Sequence, residues 1–336
     1  MSEQSSDMSK IEEPLLAPCG TRRFVLFPIE RPEIWALYKE HVSTFWTAEE
    51  ITLDQDVRDW ETLSEDERRF LRYTLGFFAN SDTIVNFNLL ENFSREIEWP
   101  EVACFYGFQI AMENVHSEVY SLLIDRLVKD DAERAELFNA IERIPAVAAK
   151  ANWALRWTDS EKNSFAQRLV AFATFEGLMF ASSFASVFWM KQRAKLPGLS
   201  FSNELISRDE SLHCKFACHL YTNHVVNRLT EEEAHAIVGD AVETERVFVS
   251  ESLPVELIGM SSKSMIQYVQ FQANRLLRAL GHSDLYPGVK NPFDWMKLIN
   301  LDGRTNFFEK RVGEYAKRDE VKAAAISGKL ELDGEF

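Results

Sequence analysis

Two Glu-x-x-His pairs, Glu113/His116 and Glu210/His213, each lie inside an apolar stretch of this chain. At 3.6 residues per turn the members of such a pair share one helix face. Asp82 and Glu176 stand in two further apolar windows, and no lysine or arginine lies within one turn of Glu176. A carboxylate in apolar surroundings is costly unless it is paired or bound to a metal. Four segments that each aim acid, or acid plus imidazole, at one core point to a helical bundle closed around a dinuclear metal site.

The spacing alone is weak, since a sequence of this length carries roughly one Glu-x-x-His by accident at ordinary residue frequencies. Glu232/His235 serves as an internal control. It lies in Leu-Thr-Glu-Glu-Glu-Ala-His, where Thr230 and Glu233 read as a capping box opening a solvated helix. Glu113 and His116 instead sit among Phe105, Tyr106, Phe108, Ile110, Met112, Val115 and Val119, and Glu210 and His213 precede Cys214, Phe216, Ala217, Cys218 and Leu220. Read alone, Asp82 also fits an N-cap after a helix break, and Asp209 reads as a surface acid beside Arg208.

The rest of the sequence agrees with an almost all-α protein. The apolar share is 46%, with only 13 glycines and 10 prolines in 336 residues, which disfavours a β-rich or disordered chain. Apolar spacing of i, i+3, i+4 recurs between prolines, as in Phe70, Leu71, Thr74, Phe77 and Phe78, and strand alternation is missing. Pro14, Pro18, Pro28 and Pro32 predict an extended start, and Pro100, Pro145, Pro197, Pro254 and Pro287 predict helix boundaries. The organisation expected is an N-terminal arm over 1–22, a helical body over 23–312 and a flexible tail over 313–336. A formal charge of −16 argues against nucleic-acid binding. Leu178–Met190 reads as too short and too polar at its start for a membrane span, and MSEQSSDMSKIEE is no signal peptide. The cysteines, Cys19, Cys104, Cys214 and Cys218, form no CxxC pair and read as reduced thiols of a cytoplasmic protein.

Four carboxylates and two imidazoles are hard donors with a little nitrogen, a set suited to iron or manganese. Carboxylates can bridge two ions and shift with oxidation state, so the site reads as redox-active. Tyr120 lies one turn beyond His116 on the same face, where a phenol could be oxidised by one electron. The ordinary alternative is a core tyrosine with a bonded hydroxyl.

Ser43–Glu50, Cys104–Asp125, Phe201–Cys218 and Asn306–Tyr315 together give the protein a resemblance to the radical-generating small subunit of class I ribonucleotide reductases of the eukaryotic-like kind, from about Glu13 to Phe336. The resemblance implies a ferritin-like helical bundle with metal ligands at Asp82, Glu113, His116, Glu176, Glu210 and His213. It implies two iron ions per chain, with manganese as the alternative, and a stable radical at Tyr120 walled by Phe180, Phe184 and Ile206. It implies a hydrogen-bonded series of Trp46, Asp209 and His116, and radical transfer through Tyr315 to a large subunit. Leu330, Leu332 and Phe336 would anchor the C-terminus on that subunit, and a homodimer is expected. Thr83 stands where the family usually has glycine and Phe87 where it usually has glutamate; neither is expected to touch a ligand. Competing readings of the same ligand set are a di-metal oxidase or hydroxylase with its own substrate, an iron-sequestering cage and a regulatory interaction subunit low in metal.

Overall fold

The computed structural model describes residues 13–16, 25–253, 257 and 259–294. Thirteen α-helices occur among them: α1 (Pro32–Val42), α2 (Asp54–Glu61), α3 (Glu65–Asn88), α4 (Ser94–Glu96), α5 (Pro100–Leu127), α6 (Asp131–Phe138), α7 (Ala140–Arg143), α8 (Pro145–Thr158), α9 (Phe165–Thr174), α10 (Ala181–Gln192), α11 (Pro197–His224), α12 (Glu231–Ser252) and α13 (Ser262–Ala279). Two π-helical turns interrupt them, Leu89–Phe93 after α3 and Phe175–Met179 between α9 and α10. The described residues form no strand, only an isolated bridge between Leu257 and Met260.

Helix starts follow from local chemistry. Ser64, Ser164, Thr230 and Ser261 each accept the N3 backbone N–H in a capping box, satisfying donors that a helix end would otherwise orphan. Pro100, Pro145 and Pro197 open α5, α8 and α11, where a missing N–H costs nothing. Pro32 does the same for α1, so the extended start expected from the early prolines ends at that residue. The start of α11 has no cap of its own. Asp56 on α2 accepts the N–H groups of Gly198 (2.8 Å) and Leu199 (2.7 Å), and Asp59 accepts that of Leu196 (3.0 Å). A Cβ on Gly198 would collide with the Thr52 carbonyl oxygen, so only glycine lets the two segments approach this closely.

Helices α3, α5, α11 and the α9–α10 rod form the central bundle: α3 packs on α5, α5 on α11, α11 on α9 and α10, and α10 on α3. Helix α1 covers α5 and α11, while α8, α12 and α13 flank the rod. The rod, Phe165–Gln192, is long and apolar enough to cross a membrane, but 94% of its apolar window is buried inside the fold; Leu178–Met190 is the middle of a core helix. Lys150 is buried beside it, with Nζ 2.5 Å from Glu245 and 2.6 Å from the Met179 carbonyl, over the face of Phe77. The pair is satisfied on both sides, as a buried charge must be. Part of the expected N-terminal arm is seated on the body: Leu15 is fully buried, and the Glu13 carboxylate accepts the N–H groups of Val226 and Asn227.

Candidate metal centre

Asp82 projects from α3, Glu113 and His116 from α5, Glu176 from the π turn and Glu210 and His213 from α11, and none is more than 1% exposed. Helix α3 runs unbroken through Asp82, so Asp82 is no N-cap. The donor atoms fall into two overlapping sets, Asp82, Glu113, His116 and Glu113, Glu176, Glu210, His213; within each, all lie within 4.8 Å of one another. The bridging pattern is visible in the oxygens. Glu113 sets Oε2 3.4 Å from Nδ1 of His116 and Oε1 3.0 Å from Nδ1 of His213. Glu210 does the same with Oε1 at 3.1 Å and Oε2 at 3.2 Å. Two carboxylates thus each span both imidazoles, while Asp82 and Glu176 stand at opposite ends.

Much of this is not hydrogen bonding. Asp82 Oδ2, Glu113 Oε2, His116 Nδ1, Glu176 Oε2 and Glu210 Oε1 are buried without a hydrogen-bond partner. Lone pairs that converge without protons between them leave room for cations. Charge agrees: four carboxylates carry −4 and two divalent ions +4. Without cations the pocket recruits protons. Burial, then the charge of Glu113, holds Asp82 well above the usual carboxylate range; burial, then Glu210, does so for Glu176. Burial works against charge on His116 and His213, yet the surrounding carboxylates outweigh it and hold both imidazoles well above their ordinary range. The residues therefore fit two hard divalent ions of the iron or manganese class.

Residues behind the six side chains hold them in place. Trp46 Nε1 donates to Asp209 Oδ2 at 2.7 Å, and the same oxygen lies 3.2 Å from Nε2 of His116. Asp209 is fully buried, not a surface acid. Burial raises its pKa, but His116 and Arg208 outweigh this and bring it to about 2. Gln109 Nε2 reaches Glu113 (3.4 Å) and Glu176 (3.3 Å), and His41 contacts His213 from α1. Burial, then His213, pushes His41 down to about 3. Neither Gln109 nor His41 was legible as part of the site: Gln109 is a lone amide one turn before Glu113 on α5, an ordinary pattern on a helix, and His41 is a single polar residue whose partner lies on another helix.

Tyr120 is 2% exposed, and its hydroxyl has no hydrogen-bond partner. Burial first, then Asp82, Glu210, Glu113 and Asp209, holds the phenol well above its ordinary pKa, so the resting residue keeps its proton. Phe78 stacks on its ring at 4.5 Å. Phe180 and Phe184 pack against Phe78 in turn, with ring centroids at 6.0 and 5.4 Å. Ile206 is also fully buried. Phe78, which the helical periodicity presents as ordinary core, is the ring in direct contact. Thr83 and Phe87 are both exposed and face away from the site. Tyr315, Leu330, Leu332 and Phe336 lie outside the described residues.

The control pair behaves as expected. Glu232 is exposed, and His235 bonds the Ser283 carbonyl and Glu231. Glu33, His219 and His224 also cluster at the surface. There Asn223 Nδ2 lies 3.1 Å from Nδ1 of His219 and Glu33 is exposed, the pattern of a solvated surface cluster.

Residues 23–292 match the family model for the ribonucleotide reductase small chain. The protein belongs to the ribonucleotide reductase small-chain family. It is 53% identical to the human ribonucleoside-diphosphate reductase subunit M2 over 97% of its own length and 82% of that relative's. It is 53% identical to the ribonucleoside-diphosphate reductase small chain of Nicotiana tabacum over 97% of its own length and 98% of that relative's. The Rnr4 homodimer of Saccharomyces cerevisiae superposes with a TM-score of 0.75 at 39% identity, covering 84% of this protein and 90% of the other. The dimanganese(II)-NrdF of Streptococcus sanguinis, at 18% identity and a TM-score of 0.69 over 82% of this protein and 97% of the other, shares the fold. This ribonucleotide reductase small chain is thus an all-α, ferritin-like subunit of ribonucleoside-diphosphate reductase, an enzyme of deoxyribonucleotide synthesis that pairs it with a large subunit. The oxidase and storage readings of the ligand set give way to that assignment.

Proposed function

We propose that Asp82, Glu113, His116, Glu176, Glu210 and His213 hold two iron ions, with manganese as the alternative, and that Tyr120 carries the radical this subunit lends to its partner. The observation that carries the reading is the pair of carboxylates, Glu113 and Glu210, each setting one oxygen against each imidazole. When bound, the ions supply the one-electron oxidising power, drawn from dioxygen, that a phenol requires. The protein supplies the rest. Tyr120 would give up an electron to the ions and the proton it holds at rest to the carboxylates beside it, of which Asp82 acts on it most strongly, and the apolar wall of Phe78, Phe180, Phe184 and Ile206 keeps water and reductants from the ring. Asp209 orients His116 by accepting from its Nε2 and ties it to the Trp46 indole. That series gives Trp46 a route to furnish an electron during assembly and to pass the hole onward in turnover.

On this reading the hole leaves through Tyr315 to a cysteine of the large subunit, where a ribonucleoside diphosphate is reduced. Leu330, Leu332 and Phe336 dock the C-terminus there, and two copies of this subunit pair as a homodimer. Cytoplasmic residence follows from the same reading and is supported by Cys104, Cys214 and Cys218, which are free thiols. The test is electron paramagnetic resonance with metal analysis after metal-free protein is loaded with iron(II), or separately manganese(II), and exposed to air. Two ions per subunit and an organic radical with iron are expected. Full loading with no radical under either metal would overturn the Tyr120 assignment.

A further inference from the structure

His41 touches the centre without belonging to either donor set. It stands on α1, is fully buried, and places Nε2 3.3 Å from Nε2 of His213, with ring centroids 4.8 Å apart. Phe105 (5.2 Å) and Phe108 (4.7 Å, edge to face) wall its ring, and its Nδ1 is buried without a partner. Two ring nitrogens at this distance are held together only if one carries the proton.

The other edge of His213 decides which. Its Nδ1 faces Glu113 (3.0 Å), Glu210 (3.2 Å) and Glu176 (3.6 Å), so a cation seated among those oxygens takes the Nδ1 lone pair. The proton of the neutral imidazole is then on Nε2, aimed at His41, and His41 must offer a lone pair there and keep its own proton on Nδ1. We propose that His41 is a positioning residue for His213, an uncharged hydrogen-bond acceptor that fixes the ring plane and tautomer of that ligand. Partners of this kind set ligand basicity and metal affinity. The proposal rests on the dinuclear reading of the centre.

The two ends of the site differ as a result. His116 leans on a carboxylate, Asp209, which is tied onward to Trp46 and Arg208. His213 leans on a neutral ring that ends between Phe105 and Phe108. The first branch can relay charge outward, and the second holds its ion in place but leads nowhere.

The test is a titration of metal-free protein with manganese(II), with unbound ion followed by electron paramagnetic resonance. The proteins compared are the unaltered subunit, His41→Leu, His41→Phe and His41→Gln. Leucine and phenylalanine both remove the acceptor, and phenylalanine keeps a ring in the pocket. Each should weaken one of the two bound equivalents by about 10–100-fold and spare the other. Glutamine, whose amide oxygen can accept, should restore most of the loss. In protein loaded with iron-57, one Mössbauer quadrupole doublet should shift in His41→Phe while the other stays. Fewer than two ions in the unaltered subunit would overturn the dinuclear reading itself. Two ions in the unaltered subunit, with either acceptor-free variant binding both as tightly and giving both doublets unchanged, would overturn the role of His41 alone. Weakening that glutamine does not relieve would likewise assign the effect to packing and overturn it.

Discussion

Two tyrosines on α5, Tyr106 and Tyr120, are buried with hydroxyls that lack a partner. They are 14 residues apart, roughly 21 Å along the helix. After burial, Asp82 is the largest influence on Tyr120, and only Tyr120 stacks on Phe78. Tyr106 faces Glu96 and Glu176 instead, behind Phe93 and Phe216. Tyr120→Phe is therefore expected to abolish the organic radical and reductase activity with both metal ions retained, whereas Tyr106→Phe keeps the signal. Spectra and metal content of the two variants side by side check this, and a radical surviving in Tyr120→Phe would move the assignment elsewhere. The six candidate ligands stand out in the sequence because each acid or imidazole interrupts a run of apolar neighbours, which is locally anomalous. Asp209 could not be read that way, since the adjacent Arg208 gives it an ordinary surface look. Phe78 was hidden for the opposite reason: nothing in the sequence separates an ordinary core phenylalanine from one stacked on Tyr120.

Among elements, the π turn Phe175–Met179 is where local sequence and site geometry part. A π turn closes i→i+5 bonds and often marks a functional site inside a helix, yet no composition rule announces one. Periodicity therefore suggested a continuous helix through Glu176. The visible trace is Gly177. A Cβ there would lie 2.6 Å from Cys214 Sγ and 3.5 Å from Cys214 Cβ, so the turn sits against α11 one residue from His213. Gly177→Ala should push the two elements apart, at an overpacking cost of about 1–3 kcal/mol, and, on the proposed ligation, loosen the ion that Glu176 would hold. Cys214→Ala in the same protein removes the sulfur that clashes and should recover most of both losses, a coupling that thermal melts and metal analysis of the double-mutant cycle would reveal. Additive losses would contradict the contact. Prolines were more legible, because Pro100, Pro145 and Pro197 mark helix boundaries on either reading. Pro32 misled only by its company, three earlier prolines that made the whole start look extended.

For the molecule as a whole, the division of labour predicts that making the radical and using it are separable. Deleting Leu330–Phe336 should leave metal content and the radical signal intact and abolish reductase activity with the large subunit; activity that survives would remove the docking role. Those residues were legible only through the family resemblance, since a short acidic tail with three apolar residues has no local signature that distinguishes it from disorder. The centre also ties whole-molecule stability to pH. Asp82, Glu176, His116 and His213 all have pKa values raised in the metal-free fold. A raised group binds its proton more tightly in the native state. Its contribution is therefore complete below the unfolded pKa and is lost as pH climbs through the folded one. The loss begins above roughly 4 for the carboxyls and above roughly 6.5 for the imidazoles. Asp209 and Glu210 are shifted the other way, so their contribution is lost only on going down through the acid range; His41, held down at about 3, also opposes the raised groups, but only below its unfolded value of roughly 6.5, and it is one group against two carboxyls there. Above roughly pH 5 the raised groups decide the sign. Metal ions take over the role of those protons, and ions free at 100 times their Kd add about 2.7 kcal/mol per site. The gap in melting temperature between metal-loaded and chelator-treated protein should therefore widen from pH 5 to pH 8, mainly because the metal-free form weakens. A gap that stays constant or narrows over that range would mean that the buried acids and imidazoles are not competing with metal for the same positions.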